Sequence, residues 1–283
     1  MQSLLTDADL ERIRALIYKE TGIYFEPKKN YFLSSRLAQR MQVRCCSSFQ
    51  QYYNELLYSH KETELSCFIE EITINETYFF RDFPQLRGFA EEVLPKYLER
   101  KRRARDATMN IWSAACATGE EPYTLSIILQ EMIEDYANWD TEILATDIDR
   151  HVLRHARIGL YSERSVKETP IVYRQKYFQR TADGWQLLAN AMQPVTFEQL
   201  NLVDRVSMRR KRGFDFIFCR NVLIYFDDDS RKKVLSCLYD ALNPGGYVFL
   251  GHSESVGRIT ASFLLERVGD FLCYKKPATS ATR

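Results

Sequence analysis

Short runs of apolar residues that end abruptly in small, polar or charged residues recur in the latter part of the chain. Three of these runs stand out, at residues 110–123, 143–149 and 214–226. Runs of this length and composition are typical of buried parallel strands. Because the ligands of open α/β sheets bind outside the carboxyl ends of the strands, the three polar ends are predicted to form three walls of one pocket.

Helical patterns alternate with these runs, which predicts a doubly wound sheet with right-handed crossovers. The predicted strands are residues 110–115, 142–147, 195–200, 214–219 and 247–251, followed by a hairpin at 262–266 and 271–275. The predicted helices are residues 121–135, 150–157 and 228–242.

The connection at residues 159–194 is too long for an ordinary loop. Within it, residues 173–181 and 185–189 flank the turn residues Ala182, Asp183 and Gly184, a composition that predicts a β-hairpin. We therefore predict a small antiparallel β subdomain inserted into the α/β domain.

The first part of the chain has only helical patterns. Helices are predicted from the N-cap Thr6 to Gly22 and at residues 29–44, 48–58 and 62–72. These divide the chain into an all-helical domain at 1–72, a loop and connecting helix at 73–108 (the helix at 83–103), and an α/β domain at 109–283.

The second of these helices carries Arg36, Arg40 and Arg44 at positions i, i+4 and i+8, which places them on one side as a continuous basic stripe. Such a stripe is most often a solvated helix face. A docking surface for an acidic partner is the alternative, and the residues alone leave both interpretations open.

The turn after the first strand favours a cationic ligand. The small residues Cys116 to Gly119 are followed by Glu120 and Glu121 at the start of a helix. The turn lacks the GxGxxG dinucleotide fingerprint because Gly119 is its only glycine. Carboxylates at a helix start would repel a phosphate, although these two glutamates are equally explained as residues that stabilise the helix terminus.

Asp147 ends the second strand, at the position where a carboxylate commonly accepts hydrogen bonds from ribose hydroxyls. It could instead only initiate the turn into the next helix. A ribose-binding acid without a phosphate fingerprint indicates a nucleoside that carries no pyrophosphate. S-adenosylmethionine, with its ribose, adenine, amino acid and sulfonium, fits this description.

Composition narrows the class of protein. The chain is 45% hydrophobic and 13% aromatic, with a net charge of +1, which is typical of a globular protein. No apolar run reaches transmembrane length, and the first residues lack a signal-peptide pattern. The seven cysteines show no CxxC or Cys/His spacing and there are four histidines, so we expect reduced thiols in a cytoplasmic protein and no metal site.

Six segments, in order along nearly the whole chain, resemble the CheR family of chemoreceptor glutamate methyltransferases. They are INETYFFRD at 74–82, AACATGEEPY at 114–123, ATDID at 145–149, NL at 201–202, FCRNVLIYF at 218–226 and GHSE at 251–254. The resemblance implies an N-terminal all-helical domain followed by a Rossmann-like class I S-adenosylmethionine methyltransferase domain with a small inserted antiparallel β subdomain.

The resemblance implies methyl transfer from S-adenosylmethionine to glutamate carboxylates of bacterial chemoreceptors, giving glutamyl methyl esters and S-adenosylhomocysteine. It assigns Arg81 to positioning of the carboxylate and Tyr225 to the lining of the methyl channel. The cofactor contacts that it implies are Asn75, Thr77, Arg81, Glu121, Asp147, Asn201, Leu202, Arg220 and Asn221. A general base is not needed because a glutamate with a pKa of about 4.3 is already ionised at neutral pH.

The resemblance also changes how two surface features are interpreted. Residues 74–82 alone are typical of a connector capped by Asn75 or Thr77, whereas in the family this loop contacts the cofactor. The basic stripe is favoured as the surface that docks on the receptor's methylation helices. Family members that bind a receptor's C-terminal pentapeptide have a longer, glycine-rich turn in the inserted subdomain, so the short turn here predicts a tether-independent member. We also expect a monomer that is peripheral to the membrane receptors and not inserted into the membrane.

Two other functions are disfavoured. A nucleic-acid methyltransferase would explain the basic runs at 101–105 and 209–212, but the near-zero net charge and the absence of an NPPY-like motif and a Pro-Cys nucleophile oppose it. A regulator that binds the cofactor without catalysis would not need both Arg81 and Tyr225. We therefore expect no nucleic-acid partner.

Overall fold

The computed structural model describes residues 5–58, 61–254, 262–269 and 271–278, without the side chains of 61–63. The chain forms two compact units, one of Met1–Ile74 with Tyr225–Ser230 and one of Asn75–Ile224 with Arg231–Arg283. The first boundary lies close to the predicted division after residue 72. The short segment Tyr225–Ser230 was expected in the second unit and instead belongs to the first.

The first unit is all-helical, as predicted. Its helices are α1 (Asp7–Thr21), α2 (Asn30–Val43), α3 (Phe49–Tyr58) and α4 (Lys61–Ile72). Thr6 and Asp9 form a capping box at the start of α1, and Gly22 ends it in the left-handed conformation with φ of 71°.

The segment Tyr225–Ser230 is held within the first unit by hydrogen bonds to the end of α1. The Tyr24 N–H donates to the Tyr225 carbonyl at 2.8 Å, and the Tyr18 hydroxyl donates to Asp227 at 2.8 Å. Ile23 and Phe226 form an isolated antiparallel bridge beside them.

The connecting helix of the second unit, predicted over 83–103, is helical over that whole range. It consists of α5 (Phe83–Gly88), a π-helical turn (Phe89–Val93) and α6 (Leu94–Arg103). Pro95 explains the π-helical turn, because it has no N–H to donate and its ring would clash with a regular preceding turn.

In the part of the chain that the structure describes, ten strands form two sheets. They are β1 (Thr108–Ala114), β2 (Asp140–Asp147), β3 (Leu160–Tyr161), β4 (Phe178–Arg180), β5 (Trp185–Leu187), β6 (Val195–Gln199), β7 (Phe214–Cys219), β8 (Leu242–Leu250), β9 (Leu264–Val268) and β10 (Phe271–Lys275). The large sheet has the order β6-β2-β1-β7-β8-β10-β9, and its first five strands are parallel. The chain winds outward from β1 to β6 and returns to β7 beside β1, so the topological switch point lies between β1 and β7.

The helices of this unit cover the sheet. They are α7 (Glu120–Met132), α8 (Arg150–Ile158), α9 (Glu163–Val166), α10 (Ile171–Tyr177), α11 (Ala189–Met192), α12 (Arg205–Arg209) and α13 (Asp228–Ala241). The ring of Phe89 packs edge-on against Phe216, Phe218 and Phe249 at centroid distances of 5.1 to 5.5 Å. This contact fixes the connecting helix on the sheet, and with it the end of the loop at residues 75–82.

The inserted subdomain is a three-stranded antiparallel sheet of order β3-β5-β4, which confirms the predicted class. Thr181 and Gly184 close the predicted turn through a backbone hydrogen bond of 2.8 Å. The prediction that the hairpin extends back to residue 173 was wrong, because residues 171–177 are the helix α10. Pro170 directly precedes this helix, and the aromatic residues within it have the high β-propensity that suggested a strand.

Candidate functional site

The connection from β1 to α7 has an unusual backbone. Ala115, Ala117 and Gly119 all have positive φ, at 62°, 47° and 93°. A non-glycine residue in this region carries a strain of about 1–2 kcal/mol, and such strain is found preferentially at functional sites. At Gly119 a Cβ atom would lie 2.8 Å from the Cβ of Ala156 and 3.1 Å from the Tyr161 hydroxyl, so the turn also needs glycine for its close contact with α8.

Asp147, at the end of β2, stabilises this turn. Its Oδ2 accepts the Ala117 N–H and its Oδ1 accepts the Asp149 N–H, both at 2.9 Å. Burial raises the pKa of Asp147 to about 6, although these backbone donors oppose the increase. An ionised carboxylate has about four acceptor positions, so two remain for ribose hydroxyls.

Glu121, in the first turn of α7, forms a buried ion pair. Its Oε1 accepts the Ser113 hydroxyl at 2.7 Å, and its Oε2 accepts Arg220 Nη1 at 3.1 Å. Burial raises the pKa of Glu121, and the positive charge of Arg220 counteracts this. The pair keeps a carboxylate available for an ammonium group at the mouth of the helix.

Arg220 links three parts of the site. In addition to Glu121, its Nη2 donates to the Arg81 carbonyl at 2.7 Å and to Asp82 at 2.9 Å. Its side chain is 3% exposed, and Nε has no acceptor among the described residues. A buried charged donor without a partner is costly, and the carboxylate of a bound amino acid would supply the missing acceptor.

The loop at residues 75–82 is anchored by its aromatic residues. The Phe79 N–H donates to the Ser165 carbonyl at 2.9 Å, and the Phe79 ring packs edge-on against Tyr161 and Phe178. The Phe80 N–H donates to the Thr124 hydroxyl of α7 at 3.1 Å. The aromatic residues thus bury one part of the loop and fix the polar residues beside them.

Two polar residues of the loop have direct partners in the second unit. The Asn75 amide donates to Asp149 at 2.9 Å, and Asp149 in turn caps the start of α8. Arg81 is half-buried and donates to the Glu76 carbonyl at 2.8 Å, which uses one of its five N–H groups. Thr77 is half-buried on the same loop.

The remaining predicted residues lie at other strand ends or outside this unit. Asn201 follows β6 and accepts the Val203 N–H at 3.1 Å, and Leu202 beside it is buried. Asn221 follows β7 with φ of 59°. Tyr225 is half-buried and belongs to the first unit.

Hydrogen bonds therefore connect the predicted residues in two groups, Asn75 with Asp147 through Asp149, and Arg81 with Glu121 through Arg220. Asp149 and Asp82 were not among the site residues predicted from the sequence. A signal existed for Asp149, since an aspartate directly before a helix is a favoured N-cap. None existed for Asp82, whose role depends on a distant arginine.

The predicted basic stripe of α2 is not free. Arg40 donates to both carboxylate oxygens of Glu64, at 3.1 and 2.6 Å, and its side chain is only 13% exposed. Arg44 pairs with Glu55, and Arg36 lies 3.7 Å from Glu71. The expectation of three exposed arginines was wrong at Arg40, because glutamates of α3 and α4 pack against the stripe.

Neither a metal site nor a membrane-spanning helix is found in the described part of the chain. There, no group of three or more His, Cys, Asp or Glu residues is arranged to hold a metal ion. No helix in this part is both long and apolar enough to cross a membrane.

Comparison with known proteins places both units in one family. Residues 8–73 match the all-alpha domain of CheR methyltransferases, and residues 75–268 match their S-adenosylmethionine-binding domain. The chemotaxis protein methyltransferase 2 of Vibrio cholerae is 42% identical over 97% of this chain and 94% of its own length. The chemotaxis protein methyltransferases of Borreliella burgdorferi and Escherichia coli are 35% and 34% identical over 89% and 92% of this chain, and each is covered over 89% of its length.

These matches agree with the fold and with the polar residues at the strand ends, which fit an amino acid joined to a nucleoside. The chain therefore belongs to the CheR family of S-adenosylmethionine-dependent chemotaxis protein methyltransferases.

Proposed function

We propose that this enzyme methylates the side-chain carboxylates of glutamates in bacterial chemoreceptors, forming glutamyl methyl esters and S-adenosylhomocysteine. The observation that carries the proposal is the connection through Arg220, which joins the acid at the mouth of α7 to the backbone of Arg81. One end of this connection suits the amino acid of the cofactor, and the other presents a guanidinium to an acidic substrate. The names of the relatives support a substrate in chemotaxis.

The proposed reaction needs little from the protein beyond alignment. Bound S-adenosylmethionine supplies an electrophilic methyl group and a sulfonium leaving group. The acceptor glutamate is ionised at neutral pH, so no residue of this chain has to remove a proton. The side chains instead align the acceptor oxygen and exclude the water that solvates it.

We assign the cofactor contacts by chemistry. Asp147 accepts from the ribose hydroxyls, Glu121 binds the ammonium group, and the unpaired Nε of Arg220 donates to the cofactor carboxylate. Asn201 and the backbone of Leu202 suit the edge of the adenine. The other proposed contacts are Asn75, Thr77, Arg81 and Asn221.

Arg81 and Tyr225 are proposed to act on the methyl acceptor. The planar fork of the Arg81 guanidinium suits a carboxylate, and the bond to the Glu76 carbonyl leaves donors for it. A very tight ion pair would make the oxygen a weaker nucleophile, so its role is positioning. Tyr225 is proposed to line the methyl channel and to donate one hydrogen bond.

The substrate is tested with methyl-labelled cofactor and two acceptors, the cytoplasmic part of a chemoreceptor and duplex DNA. We expect label in the receptor that base releases as methanol, as a methyl ester requires, and none in the DNA. Replacing the receptor's methylated glutamates by alanine should abolish labelling. Label in the nucleic acid alone, or base-stable label in the receptor, would contradict the proposal.

A further inference from the structure

The segment at residues 251–254, directly after β8, has no role in the function described so far. The carboxylate of Glu254 accepts three backbone N–H groups. Its Oε2 accepts from Gly251 at 2.7 Å and from Asn221 at 2.9 Å, and its Oε1 accepts from Ile224 at 3.3 Å. One side chain thus connects the end of β8 to the segment that follows β7.

The backbone of that segment needs such an acceptor. Asn221 is in the left-handed conformation, and Ile224 lies in the 3-10 turn Leu223–Tyr225, whose first N–H groups have no partner within the turn. Hydrogen bonds to a charged acceptor are stronger than neutral ones. The carboxylate therefore favours one conformation of a stretch that lacks regular secondary structure at its start.

Gly251 makes this arrangement possible. A Cβ atom at this position would lie 2.7 Å from Oε2 of Glu254 and 2.9 Å from the backbone nitrogen of Asn221. Both distances are shorter than any normal contact of a carbon atom. The residue directly after β8 must therefore be glycine for the carboxylate to reach the Asn221 N–H.

We propose that Glu254 is a positioning residue of the cofactor site. It acts through the backbone of Asn221 and Ile224, and so fixes Arg220 on one side of this stretch and the start of Tyr225 on the other. The proposal rests on the proposed cofactor contacts of Arg220 and Asn221. It does not depend on which substrate accepts the methyl group.

The test uses Glu254→Gln and Gly251→Ala in the full-length protein, with Glu99→Gln as the control. Glu99 is an exposed partner of Arg103 on α6, away from the strand ends. Glutamine keeps the shape of the side chain but has one acceptor oxygen and turns an NH₂ group toward backbone donors. Gly251→Ala keeps the carboxylate and displaces it.

We measure the Kd of S-adenosylhomocysteine by calorimetry and the urea midpoint of unfolding. Glu254→Gln should weaken binding about tenfold, which is the loss of about 1.4 kcal/mol expected for a hydrogen bond to a charged group. Gly251→Ala should weaken it at least as much, and the control should match the wild type. A loss in affinity that is large relative to the loss in stability indicates positioning, whereas a loss in stability without a loss in affinity indicates a general effect on folding.

The proposal is overturned if folded Glu254→Gln and Gly251→Ala bind S-adenosylhomocysteine with the wild-type Kd, whether or not their urea midpoints fall. Should one variant not fold, the other decides by the same criterion. If neither folds even at low temperature, the carboxylate is required for the fold and the positioning role is refuted. A wild-type enzyme that binds S-adenosylhomocysteine but does not label receptors would refute the proposed substrate and leave this inference intact.

Discussion

The positive charge of Arg220 affects the protonation of Glu121. Burial raises the pKa of Glu121, and the positive charges of Arg220 and, to a smaller extent, Arg81 counteract it. Arg220→Met leaves Glu121 buried with only the Ser113 hydroxyl as a strong partner. Breaking a buried ion pair costs about 3 kcal/mol or more, so we expect S-adenosylhomocysteine to bind at least tenfold more weakly at neutral pH.

The same variant should change the pH dependence of binding. In the proposed site the ionised form of Glu121 binds the ammonium group, so we expect affinity to be complete above the pKa of Glu121 and to be lost as the pH falls through it. Without Arg220 the pKa is higher, and the loss should begin at a higher pH. Calorimetry between about pH 5.5 and 8.5 checks this, since the range covers raised carboxyl pKa values. Arg102→Met, which removes an exposed pair with Asp135, should leave the profile unchanged.

The ionisation of Asp147 is predicted to reduce the stability of the cofactor-free enzyme. Its folded pKa of about 6 lies above the ordinary value for aspartate, so its contribution to stability is complete below about pH 4 and is lost as the pH rises through 6. The loss is about 3 kcal/mol, at 1.36 kcal/mol for each pKa unit. Asp147→Asn should remove this part of the pH dependence of the unfolding free energy.

The same substitution should weaken cofactor binding by more than tenfold, because an amide accepts fewer hydrogen bonds from ribose than a carboxylate does. Urea unfolding at pH 4 and 7 and calorimetry with S-adenosylhomocysteine measure the two effects. Equal pH slopes for both proteins, or an unchanged Kd, would contradict the assigned environment or role of Asp147.

The sequence indicated these residues to different degrees. Asp147 and Glu121 follow short apolar runs, so their place at strand ends could be predicted from neighbouring residues alone. The partners of Arg220 lie 99 to 139 residues away along the chain. No local pattern encodes such contacts, and its position as a link between the loop and α7 became evident only from the fold.

Among the structural elements, the loop at residues 75–82 is joined to α7 by one buried hydroxyl. Thr124 is 1% exposed, accepts the Phe80 N–H, and donates to the Glu120 carbonyl at 2.6 Å. Thr124→Val keeps the shape but leaves a buried N–H without a partner, which costs about 1–3 kcal/mol. We expect a loss of this size in the free energy of unfolding, together with weaker cofactor binding.

Urea unfolding and calorimetry with S-adenosylhomocysteine measure both quantities for Thr124→Val. Thr196→Val on the exposed side of β6 is the matched control and should change stability by less than about 0.5 kcal/mol. If Thr124→Val behaves like this control, the hydroxyl does not anchor the loop.

The strands of the large sheet were predicted well because their apolar runs are continuous and end at polar residues. The π-helical turn of the connecting helix and the helix α10 were not predicted. In the first, Pro95 produced a π-helical turn inside a region that had a convincing helical pattern. In α10, Tyr173 and Tyr177 pack on the hydrophobic core as part of a helix, and this packing outweighs the β-propensity of the aromatic residues.

For the whole molecule, the assignment of Tyr225–Ser230 to the helical unit could not be predicted from local sequence. This stretch follows β7 directly and was expected to remain with the α/β domain. Its hydrogen bonds to Tyr18 and Tyr24 join residues about 200 positions apart.

The arginines of α2 should differ most in how much each contributes to receptor docking. Arg36 has a 40% exposed side chain that lies 3.7 Å from Glu71, whereas Arg40 is bound to Glu64 and largely buried. We propose that docking depends on the exposed arginines. Arg36→Glu should preserve stability and cofactor affinity, and should lower kcat/KM for receptor methylation about tenfold at low salt, with less effect as salt increases.

Arg40→Met should instead lower the free energy of unfolding. It leaves the Glu64 carboxylate buried with the Tyr52 hydroxyl, which donates to it at 2.8 Å. We expect the free energy of unfolding to fall by about 3 kcal/mol. This is the low end for a broken buried pair, because Arg44 lies 3.6 Å from Glu64 and partly compensates its charge.

Lys19→Glu on α1 is the charge-matched control for Arg36→Glu, because it reverses an exposed charge outside the stripe. If both reversals lower receptor methylation equally, the net charge of the unit and not the stripe governs docking.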